Sequence, residues 1–70
     1  MKISARNIIK GTIKKIKTGP ISAEVVLEIG GGIEIVSQIT TASVKSLKLA
    51  KGRTAYAVIK ADHVLIGIDD

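Results

Sequence analysis

The sequence predicts an all-β fold, a five-stranded OB-type barrel with one short helix between strands 3 and 4. Hydrophobic and polar residues alternate from Ile21 to Ile29, as in a strand with one buried face. Three consecutive glycines, 30–32, then connect this strand to a second β-branched run. A short threonine-capped segment follows, and two further β-rich runs complete the layout of an OB-type barrel.

The first predicted strand, Ile8 to Lys17, is basic and rich in β-branched residues. Its apolar alternation holds through Gly11 and Ile13, but the next apolar residue is Ile16. This three-residue step predicts a bulge or sharp bend near Lys14-Lys15. Glycine inside a strand indicates a close backbone approach or a bend. The segment is long for one small barrel, which would allow it to reach a second subunit.

The second predicted strand follows a turn at Thr18-Gly19-Pro20, where proline cannot join a central ladder. Its alternation places one set of apolar side chains on the buried face. These are Ile21, Ala23, Val25, Leu27 and Ile29. Val26 interrupts the polar face and suggests a subunit contact.

The third strand, Ile33 to Ile39, leads into a short helix that either Thr40 or Thr41 caps. A turn at residues 49–52 precedes a fourth strand, Arg53 to Ala61. In that strand Ala55, Ala57 and Ile59 share one face. Asp62-His63 breaks the run before a last short strand, Val64 to Ile68, and an acidic tail, Asp69-Asp70.

Length and composition indicate one small domain, residues 1–70, that needs support from association. The chain has no cysteine and one histidine, so neither disulfides nor a zinc site stabilises it. Small domains of this kind often depend on oligomerisation, and 46% hydrophobic residues provide the apolar surface for it. The sequence therefore predicts a homo-oligomer.

The net charge of +5 favours an anionic partner. Nucleic acid is disfavoured because Tyr56 is the only aromatic residue, and single-strand binders need stacking platforms. No apolar run approaches the roughly 20 residues of a membrane span, and the N-terminus lacks the apolar core of a secretion signal. We expect a cytoplasmic protein without membrane or nucleic-acid partners.

Ser4-Ala5-Arg6-Asn7 is a candidate anion site at the start of the first strand. Arg6 presents a planar fork of donors, Ser4 adds a hydroxyl and Asn7 an amide. Such a set suits an oxyanion held by hydrogen bonds. The alternative is a solvated N-terminal turn in which Asn7 makes a local backbone bond.

Five motifs in serial order resemble the Mop domain, the molybdate-binding domain of the molbindins. The first two are Ser4-Ala5-Arg6-Asn7 and Lys10-Gly11-Thr12-Ile13. The others are Ala23-Glu24-Val25-Val26-Leu27, Ile39-Thr40 with Ser43-Val44, and Val58-Ile59-Lys60-Ala61 with Val64. The resemblance covers nearly all 70 residues and is therefore to a stand-alone molbindin.

The resemblance implies that molybdate or tungstate binds as a whole oxyanion, for intracellular molybdenum storage and homeostasis. No protein atom would coordinate the metal directly, and no organic cofactor is expected. The implied oxyanion-binding residues are Ser4, Ala5, Arg6, Asn7, Thr40, Ser43, Lys60 and Ala61. We expect this donor set to contain no carboxylate that would repel the ligand.

A second class of oxyanion site in the Mop family lies on threefold axes. Its candidates here are Gly19, Ile21 and Ser22, although Pro20 between them lacks an amide. The family also forms strand-exchanged dimers that assemble as trimers of dimers, so the resemblance implies a homohexamer with binding sites at subunit interfaces.

Other functions remain open at this point. An OB-type nucleic-acid-binding module fits the fold and charge, and a purely structural oligomerisation module fits the composition. An enzyme is not expected because the sequence lacks cysteine, paired inward carboxylates and a serine–histidine–acid set. Individually, Arg6 would serve equally as an interface ion pair, Lys60 as a snorkelling strand end and Thr40 as a plain helix cap.

Overall fold

The computed structural model describes residues 1–69, so Asp70 of the predicted acidic tail lies outside the described residues. The chain forms β1 (Asn7–Thr18), β2 (Ser22–Gly30), β3 (Ile33–Thr40), α1 (Thr41–Ser46), β4 (Thr54–Ile59) and a 3-10 turn (Ala61–His63). The strands make one curled antiparallel sheet in the order β3-β2-β1-β4. The all-β class and the position of the helix are confirmed.

Strand β1 is the longest element, and its two halves pair with different neighbours. Asn7–Thr12 pair with β4, whereas Thr12–Thr18 pair with β2. The whole length of β1 is thereby hydrogen-bonded within one chain. Its length is therefore accounted for within one chain, and strand exchange between subunits stays a prediction.

The bulge predicted at Lys14-Lys15 is confirmed by a register shift between Ile13 and Lys15 in the β1–β2 ladder. One extra residue reverses the side-chain parity of the strand. Because of the bulge, Ile16 packs against the same core as Ile13. The bulge thus bends β1 where it changes partner and keeps both halves facing inward.

The core lies on the concave face of the sheet. Its buried members are Ile13, Ala23, Val25, Leu27 and Val44, the last contributed by α1. The predicted inner face of β2 is confirmed for Ala23, Val25 and Leu27. It is wrong for Ile21, which is 79% exposed because it lies in the turn before the first paired residue of the strand.

The fifth strand predicted over Val64–Ile68 is absent from the described residues, which contain four strands. The 3-10 turn does not return the chain onto the free edge of β4, so the backbone of this segment reaches no neighbouring strand. Leu65 is left 92% exposed and Ile66 88% exposed. The fourth strand is also shorter than predicted, ending at Ile59.

An open apolar groove of about 820 Å³ lies where a closed barrel would carry its fifth strand. One side is formed by β3 residues 35–39 and the other by β4 residues 54–59. Ile13, Val25 and Leu27 contribute the apolar floor. The sheet therefore curls without closing, and part of the core surface stays accessible between its two outer strands.

Gly11 allows β1 and β2 to approach closely, as the sequence predicted. A Cβ at this position would lie 2.6 Å from the Glu28 carbonyl oxygen and 2.8 Å from Leu27 Cγ.

We expect Gly11→Ala to lower the free energy of unfolding by about 1–3 kcal/mol through overpacking. Urea denaturation checks this, with exposed Lys10→Ala as the control that shifts stability by no more than about 0.5 kcal/mol. Equal stabilities of the two variants would contradict the close approach.

Candidate functional site

Antiparallel pairing of β1 with β4 brings the N-terminal and C-terminal candidate residues together. Asn7 lies opposite Ile59 in the ladder, so Arg6 precedes and Lys60 follows the last pair. Neighbouring strands are roughly 4.8 Å apart. The residues collected at this end, here called the charged cluster, are Ser4, Ala5, Arg6, Asn7, Lys60 and Ala61.

The two cations of the charged cluster are available to a ligand. Within residues 1–69, Arg6 makes no side-chain hydrogen bond and no ion pair. Lys60 Nζ lies 4.0 Å from Asp62 Oδ2, and both side chains are 70% exposed. Exposed pairs of this kind contribute little energy, so an anion can displace the Asp62 carboxylate from Lys60.

Asp62 corrects one expectation from sequence, because a carboxylate does lie beside the predicted donors. Its position two residues after Lys60 was visible in the sequence. Its orientation was not, because that depends on the 3-10 turn at Ala61–His63. Asp62 therefore supplies a competing negative charge that an incoming anion has to overcome.

The hydroxyl candidates form a second group at the end of β3. Thr40 is the N-cap of α1, and its Oγ1 accepts a hydrogen bond from the Ser43 amide at 3.0 Å. The same hydroxyl donates to Ser43 Oγ at 2.8 Å. The Thr40 proton is used in this bond, so the Ser43 hydroxyl proton stays available to a ligand. Thr40 and Ser43 are called the hydroxyl cluster below.

The residues of the predicted second site, Gly19, Ile21 and Ser22, lie beside the hydroxyl cluster. Ser22 pairs with Thr40 across β2 and β3. The Gly19 amide donates to the Ser22 carbonyl at 2.8 Å, so this donor is already engaged within the turn. The Ser22 hydroxyl accepts only a long contact, at 3.5 Å, from Gln38 Nε2.

Thr41 joins α1 to the β1–β2 turn, a role that sequence reasoning missed. Its Oγ1 donates to the Gly19 carbonyl at 2.7 Å, and its amide donates to the Ile21 carbonyl at 2.8 Å. The Thr40-Thr41 pair was a signal, since either residue suited a cap. Thr40 caps the helix, and Thr41 anchors the helix to the β1–β2 turn.

The charged and hydroxyl clusters lie at opposite ends of β1 and do not meet in one chain. The charged cluster adjoins Asn7, whereas Thr41 binds the Gly19 carbonyl just beyond Thr18. The 12 residues of β1 separate the two clusters along the strand. The eight residues predicted to bind one oxyanion are thus divided into two partial sites.

Lys14 is engaged elsewhere. Its ammonium donates to the Glu34 carboxylate. That hydrogen bond and the attraction of the same carboxylate raise the pKa of Lys14 above its ordinary value, and Glu28 adds to the attraction. Lys14 therefore stays protonated and paired, and it is a poorer candidate for anion binding than Arg6 or Lys60.

Residues 1–69 contain no group of three or more histidine, cysteine, aspartate or glutamate side chains able to hold a metal ion. In the same part of the chain, no helix is long and apolar enough to cross a membrane.

Comparison with known proteins decides the family. The TOBE domain model matches residues 3–66. Molybdenum-pterin-binding protein 1 of Clostridium pasteurianum is 50% identical over 66 residues, which are 94% of this chain and 97% of the relative. The chain belongs to the molybdenum-pterin-binding (Mop) family of TOBE domains. The resemblance seen in the sequence is confirmed.

Solved Mop structures have the same fold. A molybdate-binding protein from Sporomusa ovata is 37% identical, with a TM-score of 0.90 over 97% of this chain and 100% of that one. The cytoplasmic molybdate-binding protein ModG, crystallised with molybdate bound, is 48% identical with a TM-score of 0.93. That match covers 99% of this chain and 49% of ModG. The Mop family consists of molybdate-binding proteins and not of enzymes, as the sequence predicted.

The Thr40 cap yields a stability prediction. We expect Thr40→Ala to lower the free energy of unfolding by about 1 kcal/mol, because the Ser43 amide loses its acceptor. Thr40→Ser keeps the acceptor and should retain most of that stability. Thermal unfolding followed by circular dichroism measures both variants. A serine variant as unstable as the alanine variant would show that the methyl group, not the cap, carries the effect.

Proposed function

We propose that this Mop domain binds molybdate or tungstate as an intact oxyanion, at contacts between copies of the chain. Binding uses hydrogen bonds and charge and serves molybdenum storage and homeostasis in the cytoplasm. Membership of a molybdate-binding family supports the ligand class. The cytoplasmic setting follows the description of the relative ModG.

The separation of the two clusters is the observation that carries the interface part of the proposal. The predicted donors are divided between the clusters: the charged cluster holds both cations together with Ser4 and Asn7, and the hydroxyl cluster holds Thr40 and Ser43. Both sets act on one ion only if two chains contribute. The charged cluster of one copy then faces the hydroxyl cluster of another.

The chemistry of the donors suits a tetrahedral dianion. Arg6 donates from a rigid, planar fork of N–H groups that carries a delocalised positive charge. Charge-assisted hydrogen bonds to an anion are roughly twice as strong as neutral ones. All ligand contacts go to the outer oxygens, so no protein atom approaches the metal and no resident metal site is required.

Association through the C-terminal segment completes the fold in this proposal. Val64–Ile68 is apolar, extended and unpaired within residues 1–69. The groove between β3 and β4 offers two free strand edges above an apolar floor. A segment from a second copy supplies the fifth strand there and pairs both edges. Reciprocal exchange gives a dimer, and three dimers give the expected hexamer.

A second class of oxyanion site belongs to the same proposal at the Gly19–Ser22 turn. The Ser22 hydroxyl and the Ile21 amide are its candidate donors, because the Gly19 amide is engaged within the turn. In a hexamer with threefold symmetry, three copies of this turn would together supply the donors that one copy lacks.

Isothermal titration with molybdate tests the charged cluster. We expect Arg6→Ala and Lys60→Ala each to weaken molybdate binding by about 10–100-fold, since each removes a charge-assisted hydrogen bond of about 1.5–3 kcal/mol. Lys51→Ala, which removes an equal charge from the exposed turn between α1 and β4, outside both clusters, is the matched control and should change affinity by less than about threefold.

Sulfate and phosphate titrations show whether binding is selective. Equal weakening by Lys51→Ala and Lys60→Ala would contradict a local site and would indicate a general effect of net charge. Wild-type affinity in Arg6→Ala would exclude Arg6 as a ligand-binding residue.

A further inference from the structure

We propose that the Ala61–His63 turn is a hinge whose orientation is set by the bound oxyanion. The ion holds the turn against β1 and thereby holds the C-terminal segment, Val64–Ile68, in the direction that reaches a second copy. The inference rests on the proposed function and adds to it a link between anion occupancy and strand exchange.

The turn has little support of its own. Two backbone hydrogen bonds hold it, from the His63 amide to the Lys60 carbonyl at 2.9 Å and from the Val64 amide to the Ala61 carbonyl at 3.4 Å. No side chain caps it at Lys60. Every residue from Lys60 to Asp69 is exposed. Among residues 1–69, none from this segment belongs to the hydrophobic core or packs against it as a partly buried residue.

The turn begins inside the charged cluster. Lys60 is its N-cap and Ala61 its first residue, and both are candidate ligands of the oxyanion. Arg6 lies on the neighbouring strand, one residue before the last β1–β4 pair. An anion that accepts bonds from Arg6 and from Lys60 therefore joins the two strands beyond the point where their ladder ends.

Only two residues separate Ala61 from the apolar segment. Because the turn has only three residues, an ion that fixes Ala61 also fixes the direction in which the chain continues into Val64. Ligand binding then lowers the entropy that the segment loses when it docks on a second copy. The coupling is reciprocal, so docking of the segment also raises the affinity for the anion.

Amide hydrogen exchange of the full-length protein tests this coupling. The exchange rates of the Val64–Ile68 amides are measured by NMR or mass spectrometry with no added anion, with sodium molybdate and with sodium sulfate. We expect saturating molybdate to slow exchange of these amides by about tenfold. Sulfate at the same concentration should have a much smaller effect. The Leu65–Ile68 amides lie outside the proposed site and the turn, so their protection reports the coupling, whereas the Val64 amide, bonded to the Ala61 carbonyl, reports the turn itself.

A variant with two glycines inserted between His63 and Val64 is the matched control. The insertion leaves Lys60 and Ala61 in place but separates the turn from the segment. Molybdate should still bind in calorimetry, whereas the additional protection of Val64–Ile68 should fall at least fivefold towards the anion-free level.

The outcomes separate the inference from the function on which it rests. Molybdate binding with unchanged exchange of residues 64–68 overturns the hinge and leaves the proposed function standing. Equal protection in the wild type and the glycine insertion also overturns the hinge. Absence of molybdate heat in the wild type overturns the proposed function and the hinge with it.

Discussion

The division of β1 between two partners is the constraint on which the rest of the structure depends. Its first half is paired with β4 and its second half with β2, and the bulge after Ile13 keeps both halves facing one core. Because β1 connects β2 with β4, the sheet curls, and β3 and β4 lie at its two open edges. The apolar groove between those edges follows directly from this arrangement.

The same strand determines where chemistry is possible. The charged cluster, with Arg6 and Lys60, lies at one end of β1, and the hydroxyl cluster lies at the other. Each set owes its position to backbone pairing: Asn7 with Ile59 at one end, Ser22 with Thr40 at the other. In the proposed function, association of two copies brings these separated donors onto one ion.

Local patterns predicted most of the fold from the sequence. The parity break at Ile16 located the bulge, and Gly11 located the close approach of β1 and β2. The missing fifth strand was not predictable, because Val64–Ile68 has the pattern of a strand but no neighbouring strand within residues 1–69. The Thr41 anchor and the position of Asp62 also depend on long-range geometry. Motif order, not local pattern, identified the candidate site residues.

The claim that each site is shared between two chains is tested most directly by mixing two defective variants. Arg6→Ala chains keep an intact hydroxyl cluster, and Thr40→Ala/Ser43→Ala chains keep an intact charged cluster. After the two are unfolded together and refolded in equal amounts, about a quarter of the sites should combine both intact halves. Calorimetry should then recover wild-type molybdate affinity at about a quarter of the wild-type stoichiometry. No recovery in mixed oligomers, each variant alone being folded, would contradict the shared site.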